Sequence, residues 1–532
     1  MRNFLKTGNP YIWLTAGTLT MCLLMVSGLM VLIVMKGLGV FWPHKLVQYE
    51  LKDGTVVLGE IKKREPVPYR EGHFRTKVKM GNRDVYGLDF KWINEEHIVS
   101  QKYPKTALTI ERREWGNMYG YLSGLKEAGT VRPIGIKETE TLIDENHRIF
   151  QRIRYLEKKE IGMINYHMEK YRLEMKRLEK LQKTDKVQKR MRVALQKLRD
   201  LEREYQKKEE SLNELYALSR KKELVIHLAD GAERTISVFQ IVRICSPNDM
   251  GVFSKFGFYM EKFWEFVSDE PREANTEGGI FPAIFGTVMM VMIMSIAVVP
   301  LGVLTAVFLK EYSSDNIFAR LVRISVNNLA GVPSIVFGVF GLGFFIYFIG
   351  GGIDKIFFSE ALPTPTFGTG GILWASLTLA LLTVPVVVVA TEEGLSSVPS
   401  SIRDGSYALG ATKFETIWKV VLPQATPGIL TGTILAMARA AGEVAPLMIT
   451  GVVKLAPSLP LDSHFPFVHL ERKFMHLGFH IYDVGFQSPN VEAAVPMVYT
   501  TTLVLVMTVV VLNLAAIVIR NKLRRKYKTA SV

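Results

Sequence analysis

Apolar and polar residues are segregated along this chain rather than mixed. Six runs are free or almost free of charge: 7–35, 278–309, 324–353, 361–391, 420–438 and 493–519. Five of them exceed the roughly 20 residues that an α-helix needs to cross a bilayer, and 420–438 reaches that length once Ala440 to Thr450 are added. The pattern predicts six transmembrane helices, over Tyr11–Met35, Gly278–Leu309, Ser325–Gly350, Ile372–Ala390, Gln424–Thr450 and Val495–Ile519. The expected fold is that of a mainly α, polytopic membrane protein.

A large polar insert, residues 37–277, separates the first run from the other five. It opens with strand-like alternation from Val47 to Ile61 around Asp53-Gly54 and closes with a similar piece from Leu224 to Val238 around Asp230-Gly231. Asp-Gly between alternating apolar residues is a hairpin signal, and the two hairpins are expected to share one small β-domain. Between them, from about Glu145 to Lys222, there is no proline and only Gly162. Apolar residues recur there at three- and four-residue steps, among them Ile149, Ile153, Leu156, Ile164, Met168, Met191, Leu195 and Leu198. That spacing predicts a coiled-coil-like arm. An antiparallel hairpin turning near Lys183 would let the β pieces meet, whereas one continuous helix of roughly 75 residues would hold them about 110 Å apart. The arm reads either as a docking surface or as an elaboration with a solvated charged face.

Charge follows the same segregation. The net charge of +15 is concentrated in two places. Residues 148–223 hold 23 Lys/Arg against 13 Asp/Glu, and the tail 520–532 holds six basic residues and no acidic one. A charged helical arm and a positive-inside tail account for the excess without nucleic acid. Arg2 and Lys6 precede the first run, which is too long for a signal peptide and has no small-residue cleavage site after it, so 1–36 is expected to be an uncleaved anchor. Both termini are then cytoplasmic, and the insert is periplasmic. Cys22 and Cys245 lie in different environments, which excludes a disulfide scaffold and a cysteine metal site. No Gly-Lys dipeptide occurs, so the chain has no P-loop of the Walker A kind. Nor is there a nucleophile elbow, zinc signature or catalytic carboxylate pair. No cofactor is expected, and the chain is not expected to be an enzyme.

Two constellations carry candidate chemistry. Arg439 lies roughly 20 Å into the fifth span, and Glu443 follows one helical turn later on the same face. A charge in a membrane is costly and is paired or turned to a hydrated path. Either Glu443 neutralises Arg439 and pins neighbouring helices, or the guanidinium presents its planar fork to an anion in passage. Asn327 and Asn328, read as inside the third span, join the same candidate path. The second constellation is the amphipathic loop 392–423, with Arg403, Asp404, Gly405, Ser406, Ala408, Gly410, Leu422 and Pro423. Four histidines, His464, His469, His476 and His480, invite a metal reading. No acidic or cysteine partner completes it, and an interfacial amphipathic helix over Phe467–His480 is the preferred reading.

The loop's spacing resembles the coupling loop of ATP-driven importer permeases. That motif reads Glu-Ala-Ala, three residues, Gly, nine residues, Ile, any residue, Leu-Pro. Here it reads Asp404-Gly405-Ser406, three residues, Gly410, nine residues, Val420-Val421-Leu422-Pro423. With Gly278–Thr287, Pro300–Leu304, Gly331–Gly338, Tyr407–Ala411 and Ala438–Leu447, the core over about 278–528 resembles the PstA-type permeases of the bacterial phosphate importer. Ala445-Pro446-Leu447 after Gly442-Glu443 distinguishes these from the PstC-type sister subunits, and Val444 departs from the usual threonine. The resemblance implies the importer permease fold, a core over 278–519, inorganic phosphate as substrate and a bacterial inner membrane. It implies as partners a PstC-type second permease, PstB-type ATPase subunits docked on the coupling loop and a PstS-type periplasmic binding protein. It implies nothing about the insert. The rival readings are another oxyanion and a membrane tether acting through the arm.

Overall fold

The computed structural model describes residues 9–528 apart from 128, 182–183, 314–315, 464 and 489. Arg2, Lys6, the expected turn at Lys183, His464 and the last four residues of the tail lie outside the described residues. The chain forms two compact units, Phe41–Glu265 and Met1–Val40 with Phe266–Val532. Residues 266–277, counted with the insert on sequence grounds, belong to the second. There Pro271–Arg272 pairs with Glu277–Gly278.

The first unit holds two antiparallel sheets built to one plan. In one, β1 (Leu46–Leu51), β2 (Val56–Pro66), β3 (Phe74–Lys79), β4 (Phe90–Asn94) and β5 (Ile98–Lys102) run in the order β4-β3-β2-β1-β5, with a 3-10 turn at Glu95–His97 before the last strand. In the other, β6 (Leu108–Arg112), β7 (Met118–Glu127), a short β8 (Thr130–Arg132), β9 (Lys222–His227), β10 (Glu233–Ser237) and β11 (Ile241–Cys245) give β10-β9-β7-β6-β11, with a 3-10 turn at Val238–Gln240. A last strand that returns to pair with the first, after one turn of 3-10 helix, is the strand order of an SH3-like barrel. The chain therefore carries this plan twice. The two Asp-Gly turns lie in one compact unit but in different sheets of it. Asp53-Gly54 joins the first and second strands of one sheet, whereas Asp230-Gly231 joins the third and fourth of the other. Each sheet has its own core, Val47, Tyr49, Val57, Val78 and Ile93 in the first and Leu108, Ile110, Leu125, Leu224 and Ile226 in the second.

The arm leaves the second sheet between β8 and β9. Helix α2 (Ile136–Tyr155) passes through a wide turn at Leu156–Ile161 into α3 (Gly162–Glu179), and α4 (Asp185–Ser219) returns antiparallel. Glu174–Arg190 at 2.7 Å, Glu160–Lys208 at 2.6 Å and Glu157–Tyr216 at 2.8 Å fix the register. Leu142 and Ile143 of α2 are buried in the second sheet's core, so the arm's base is packed rather than merely tethered.

The second unit contains six segments long and apolar enough to cross a membrane: Tyr11–Phe41, Phe281–Tyr312, Ser334–Phe357, Ile372–Ser396, Lys413–Gly442 and Val491–Arg525. The first is α1 (Asn9–Leu38), and the second opens with α6 (Phe281–Val307). The third differs from the sequence reading. Residues 317–329 form a separate helix, α7 (Ile317–Leu329), and the apolar segment begins after Pro333 with α8 (Ser334–Phe340). Proline lacks the donor and disfavours helix at the residue before it, so the chain breaks there.

Helix α9 (Ile372–Ser396) is the most buried of the six and forms the centre of the bundle. It packs against α6 and against α11 (Leu422–Gly442) through small residues. A Cβ on Gly302 would come within 2.6 Å of Val387, one on Gly432 within 2.5 Å of Ala390, and one on Gly428 within 2.7 Å of the Gly394 backbone. Between apolar helices in lipid, such close backbone approach supplies the dispersion contact that hydrophobic burial does not. Helix α14 (Val491–Lys528) completes the bundle, and its Thr500 hydroxyl donates to the Gly37 carbonyl of α1 at 3.1 Å.

The segment Phe467–His480 is not the interfacial helix expected. It is an extended return that is helical only from α13 (Leu477–Tyr482). Phe474, Met475 and Leu477 are buried, and Gly286 of α6 lies so close that a Cβ there would overlap the Met475 carbonyl. Its apolar residues serve the protein core, not the bilayer surface.

Gly428→Val should lower the unfolding temperature of the detergent-solubilised protein by an amount corresponding to about 1–3 kcal/mol, because the contact is backbone against backbone. Gly405→Ala, where a Cβ meets nothing within 4 Å, should leave it unchanged or raise it slightly. Equal thermal melts for the wild type and Gly428→Val would contradict the packing described.

Candidate functional site

Helix α11 connects two candidate sites, one at each end. At its start the chain turns through an elbow. Helix α9 ends at Ser396, α10 (Ser400–Ala408) crosses, and the chain re-enters α11 after a capping box. In that box Thr412 Oγ1 accepts from the Glu415 amide at 3.3 Å, and Glu415 Oε2 accepts from the Thr412 amide at 3.1 Å. Gly410 has φ +84°, the left-handed turn that ends α10 and favours glycine at this point of the motif.

The predicted elbow residues separate into two groups. Arg403 points inward. Its guanidinium donates to the Val398 carbonyl at 2.6 Å, to the Leu395 carbonyl at 2.9 Å and to Glu311 Oε1 at 2.8 Å. It therefore clamps α10 to the last turn of α9 and to the end of the α6 segment. Ser406 is half-buried, sharing a hydrogen bond of 2.8 Å with Thr416, and Leu422 and Pro423 are half-buried at the start of α11. Asp404, Gly405, Ala408 and Gly410 are exposed. So is a group that the motif reading passed over. Leu409 is 91% exposed, and the Phe414 and Trp418 rings stack 6.2 Å apart on the surface beside it. Apolar side chains following a small-residue helix were the available signal.

At the other end, α11 stops at Gly442. Glu443 is extended (φ −76°, ψ 137°), and a short helix, α12 (Ala445–Thr450), follows at once. Pro446 sits in the first turn of α12, where a missing amide costs least. The fifth span is thus broken at Glu443 rather than running on to Thr450. Arg439 stands in the last turn before the break, not in mid-helix. Its Nε lies 3.6 Å from Glu443 Oε1, an ion pair longer than a hydrogen bond. Among the described residues it has no second charged partner. The Arg439 side chain is 38% exposed and shares the outward face of α11 with exposed Leu435. The terminal nitrogens of the fork are left open on that face.

Asn327 and Asn328 are not in a span. They occupy the exposed end of α7, and neither side chain makes a hydrogen bond among the described residues. The structure does not join them to the Arg439–Glu443 pair.

Of the three described candidate histidines, His469 and His476 are hydrogen-bonded, and His480 has neither ring nitrogen partnered among the described residues. His469 contacts Asp462 and Glu471 at 3.0 and 3.1 Å, and His476 Nδ1 accepts the Gly478 amide at 3.1 Å. Burial pushes His476 down to about 3 and His480 down to about 4, so both are neutral. Among the described residues no three His, Cys, Asp or Glu side chains are grouped to hold a metal ion. Beside His480, buried Asp483 pairs with Lys454 at 3.2 Å and with Asn275 at 3.2 Å, an inner lock absent from the sequence reading.

Comparison with known proteins gives matches over part of the chain. The profile of the binding-protein-dependent transport system inner membrane components matches residues 298–529. The phosphate transport system permease protein PstA of Mycobacterium leprae is 38% identical over 196 residues, 36% of this chain and 59% of the relative. The probable ABC transporter permease protein YqgI of Bacillus subtilis is 32% identical over 237 residues, 43% of this chain and 74% of the relative. The chain thus spans somewhat over half the length of the first of these and three quarters of the second. An inward-facing methionine ABC transporter, MetNI, is 18% identical with a TM-score of 0.34, covering 49% of this chain and 98% of that one.

Arg403→Met should open the elbow. Breaking one side of a buried pair costs about 3–5 kcal/mol, so protease cleavage between residues 397 and 412 should become rapid and the unfolding temperature should fall. Glu311→Gln keeps an acceptor and should lose less. Wild-type resistance in Arg403→Met would show that the clamp is not structural.

Proposed function

The chain belongs to the family of binding-protein-dependent transport system inner membrane components, and on that premise we propose that it is the phosphate permease subunit of an ATP-driven importer. The observation that carries the reading is the open guanidinium of Arg439 at the break between α11 and α12, on the face of the subunit that looks away from its own core. A planar fork matches two edges of a tetrahedral oxyanion. Glu443 at 3.6 Å moderates the charge without occupying the fork, which suits a site that must release its ligand. A PstC-type second permease would face the same surface and complete the conduit. The relatives named PstA support phosphate over other oxyanions.

The elbow is the point at which PstB-type ATPase subunits act. Leu409, Phe414 and Trp418 offer apolar area, and Asp404 offers a charge with no ion-pair partner among the described residues. The basic tail puts the elbow and both termini on the cytoplasmic side, and the insert then faces the periplasm, where a PstS-type binding protein delivers the anion. Nucleotide-driven closure of the ATPase pair tilts α11 from its elbow end. Its far end carries Arg439 alternately toward the outer and the inner side. A ligand shifts such an equilibrium only through its different affinity for the two states.

Uptake of labelled phosphate by cells producing the complex tests this. Charge-assisted hydrogen bonds of roughly 1.5–3 kcal/mol imply about a 10- to 100-fold loss in Arg439→Ala, with unchanged assembly. Arg439→Lys should also be impaired, since a point charge lacks the fork. Undiminished uptake in Arg439→Ala would refute the assignment. Absent uptake of labelled phosphate together with saturable uptake of labelled molybdate or sulfate, lost in Arg439→Ala, would keep the site and change the substrate.

A further inference from the structure

Helix α5 (Val252–Ser268) has an exposed apolar face. Phe253, Phe256, Met260 and Trp264 recur at helical spacing and are all exposed, Phe253 to 94%. The helix's charges point elsewhere, into ion pairs. Glu261 meets Arg243 at 2.9 Å, Glu265 meets the same guanidinium at 3.3 Å, and Lys262 pairs with Glu111. The stripe itself carries none.

Both ends of α5 are tied to places where the chain enters or leaves an apolar segment. Toward the N-terminal end, Lys255 Nζ donates to the Pro43 carbonyl at 3.2 Å. The Tyr259 and Phe263 rings meet Phe41 edge-on at 6.4 and 6.2 Å, and Tyr259 also meets Trp42 at 6.3 Å. Phe41 is the last residue of the first apolar segment. At the C-terminal end, the Ile280 amide donates to the Phe266 carbonyl at 2.8 Å and the Phe281 amide to the Asp269 carbonyl at 3.1 Å. Phe281 opens the second apolar segment.

We propose that α5 lies in the headgroup region of the bilayer and that lipid is the partner of its exposed apolar stripe. This rests on the apolar segments crossing a membrane and goes beyond the transport reading. A helix pinned at both ends to membrane entry points sits at the depth of the interface. An uncharged stripe of Phe, Met and Trp, with charged residues turned to the other side, has the chemistry of an interfacial helix whose apolar face enters the acyl boundary by about 5–10 Å. Trp264 is suited to that depth, since its ring is apolar and its N–H polar.

The test uses the full-length protein with Cys22 and Cys245 replaced by serine, in phosphatidylethanolamine–phosphatidylglycerol nanodiscs. Nitroxides are placed one at a time at the exposed positions 253, 254, 256, 260, 261 and 264. Power saturation with oxygen and with a water-soluble nickel chelate reads the depth of each. Positions 253, 256, 260 and 264 should be accessible to oxygen and shielded from nickel, and 254 and 261 should be the reverse, giving a 3.6-residue oscillation. Nickel accessibility at all six positions would overturn the proposal by placing the helix in water. Shielding from both reagents at 253, 256, 260 and 264 would overturn it by showing a protein in contact instead of lipid.

Discussion

A buried guanidinium holds the elbow closed. Arg403 is largely removed from water and satisfied by one carboxylate, Glu311, by the Leu395 carbonyl in the last turn of α9 and by the Val398 carbonyl two residues past its end. A cation there also meets the negative end of the α9 dipole. Its Nε remains buried without a partner, so the arrangement is not saturated. Its effect is mechanical. Helix α10 cannot move without moving the ends of both the α6 segment and α9.

The remainder of the helical unit continues that coupling. Helices α9 and α11 touch backbone to backbone at Gly394–Gly428, with Gly432 against Ala390 one turn further on. Packing this close does not deform smoothly, so a push on the elbow displaces the helices as bodies rather than bending them. Helix α11 itself spans about 30 Å from the elbow to Gly442. At its far end the chain is already broken at Glu443, and Arg439 stands in the last turn before the break. The point where force would enter and the group that would hold an anion are two ends of one rod.

The sequence made the rod and its elbow legible but not the break at its far end. Apolar runs of more than 20 residues are unambiguous, and the chain's six segments follow them. The elbow was found by spacing, because small residues and Leu-Pro recur at fixed distances. Arg403 looked like a surface contact because its partner, Glu311, lies 92 positions earlier, beyond any local pattern. The helix break at Glu443 was hidden because the apolar residues resume after it through Thr450, although Pro446 marked it. Asn327 and Asn328 were drawn into the third span by the apolar residues around them, and Pro333 marked the true boundary. In the insert, two Asp-Gly turns suggested one hairpin repeated. The repeated object is instead a whole five-stranded plan, in which the two turns occupy different positions. Strand pairing across a long inserted arm, as between β7 and β9, leaves no local trace. Histidines 476 and 480 fell in a stretch that read as an interfacial helix, because their burial depends on the return of their loop into the bundle.

The central claim is that a separate ATPase chain drives this subunit through the elbow. Leu409→Cys, in protein lacking the native cysteines, tests it by labelling with a water-soluble maleimide. In the complex purified with its ATPase, the cysteine should be protected, and it should label rapidly once the ATPase is stripped away. Equal, rapid labelling in both preparations would contradict the account.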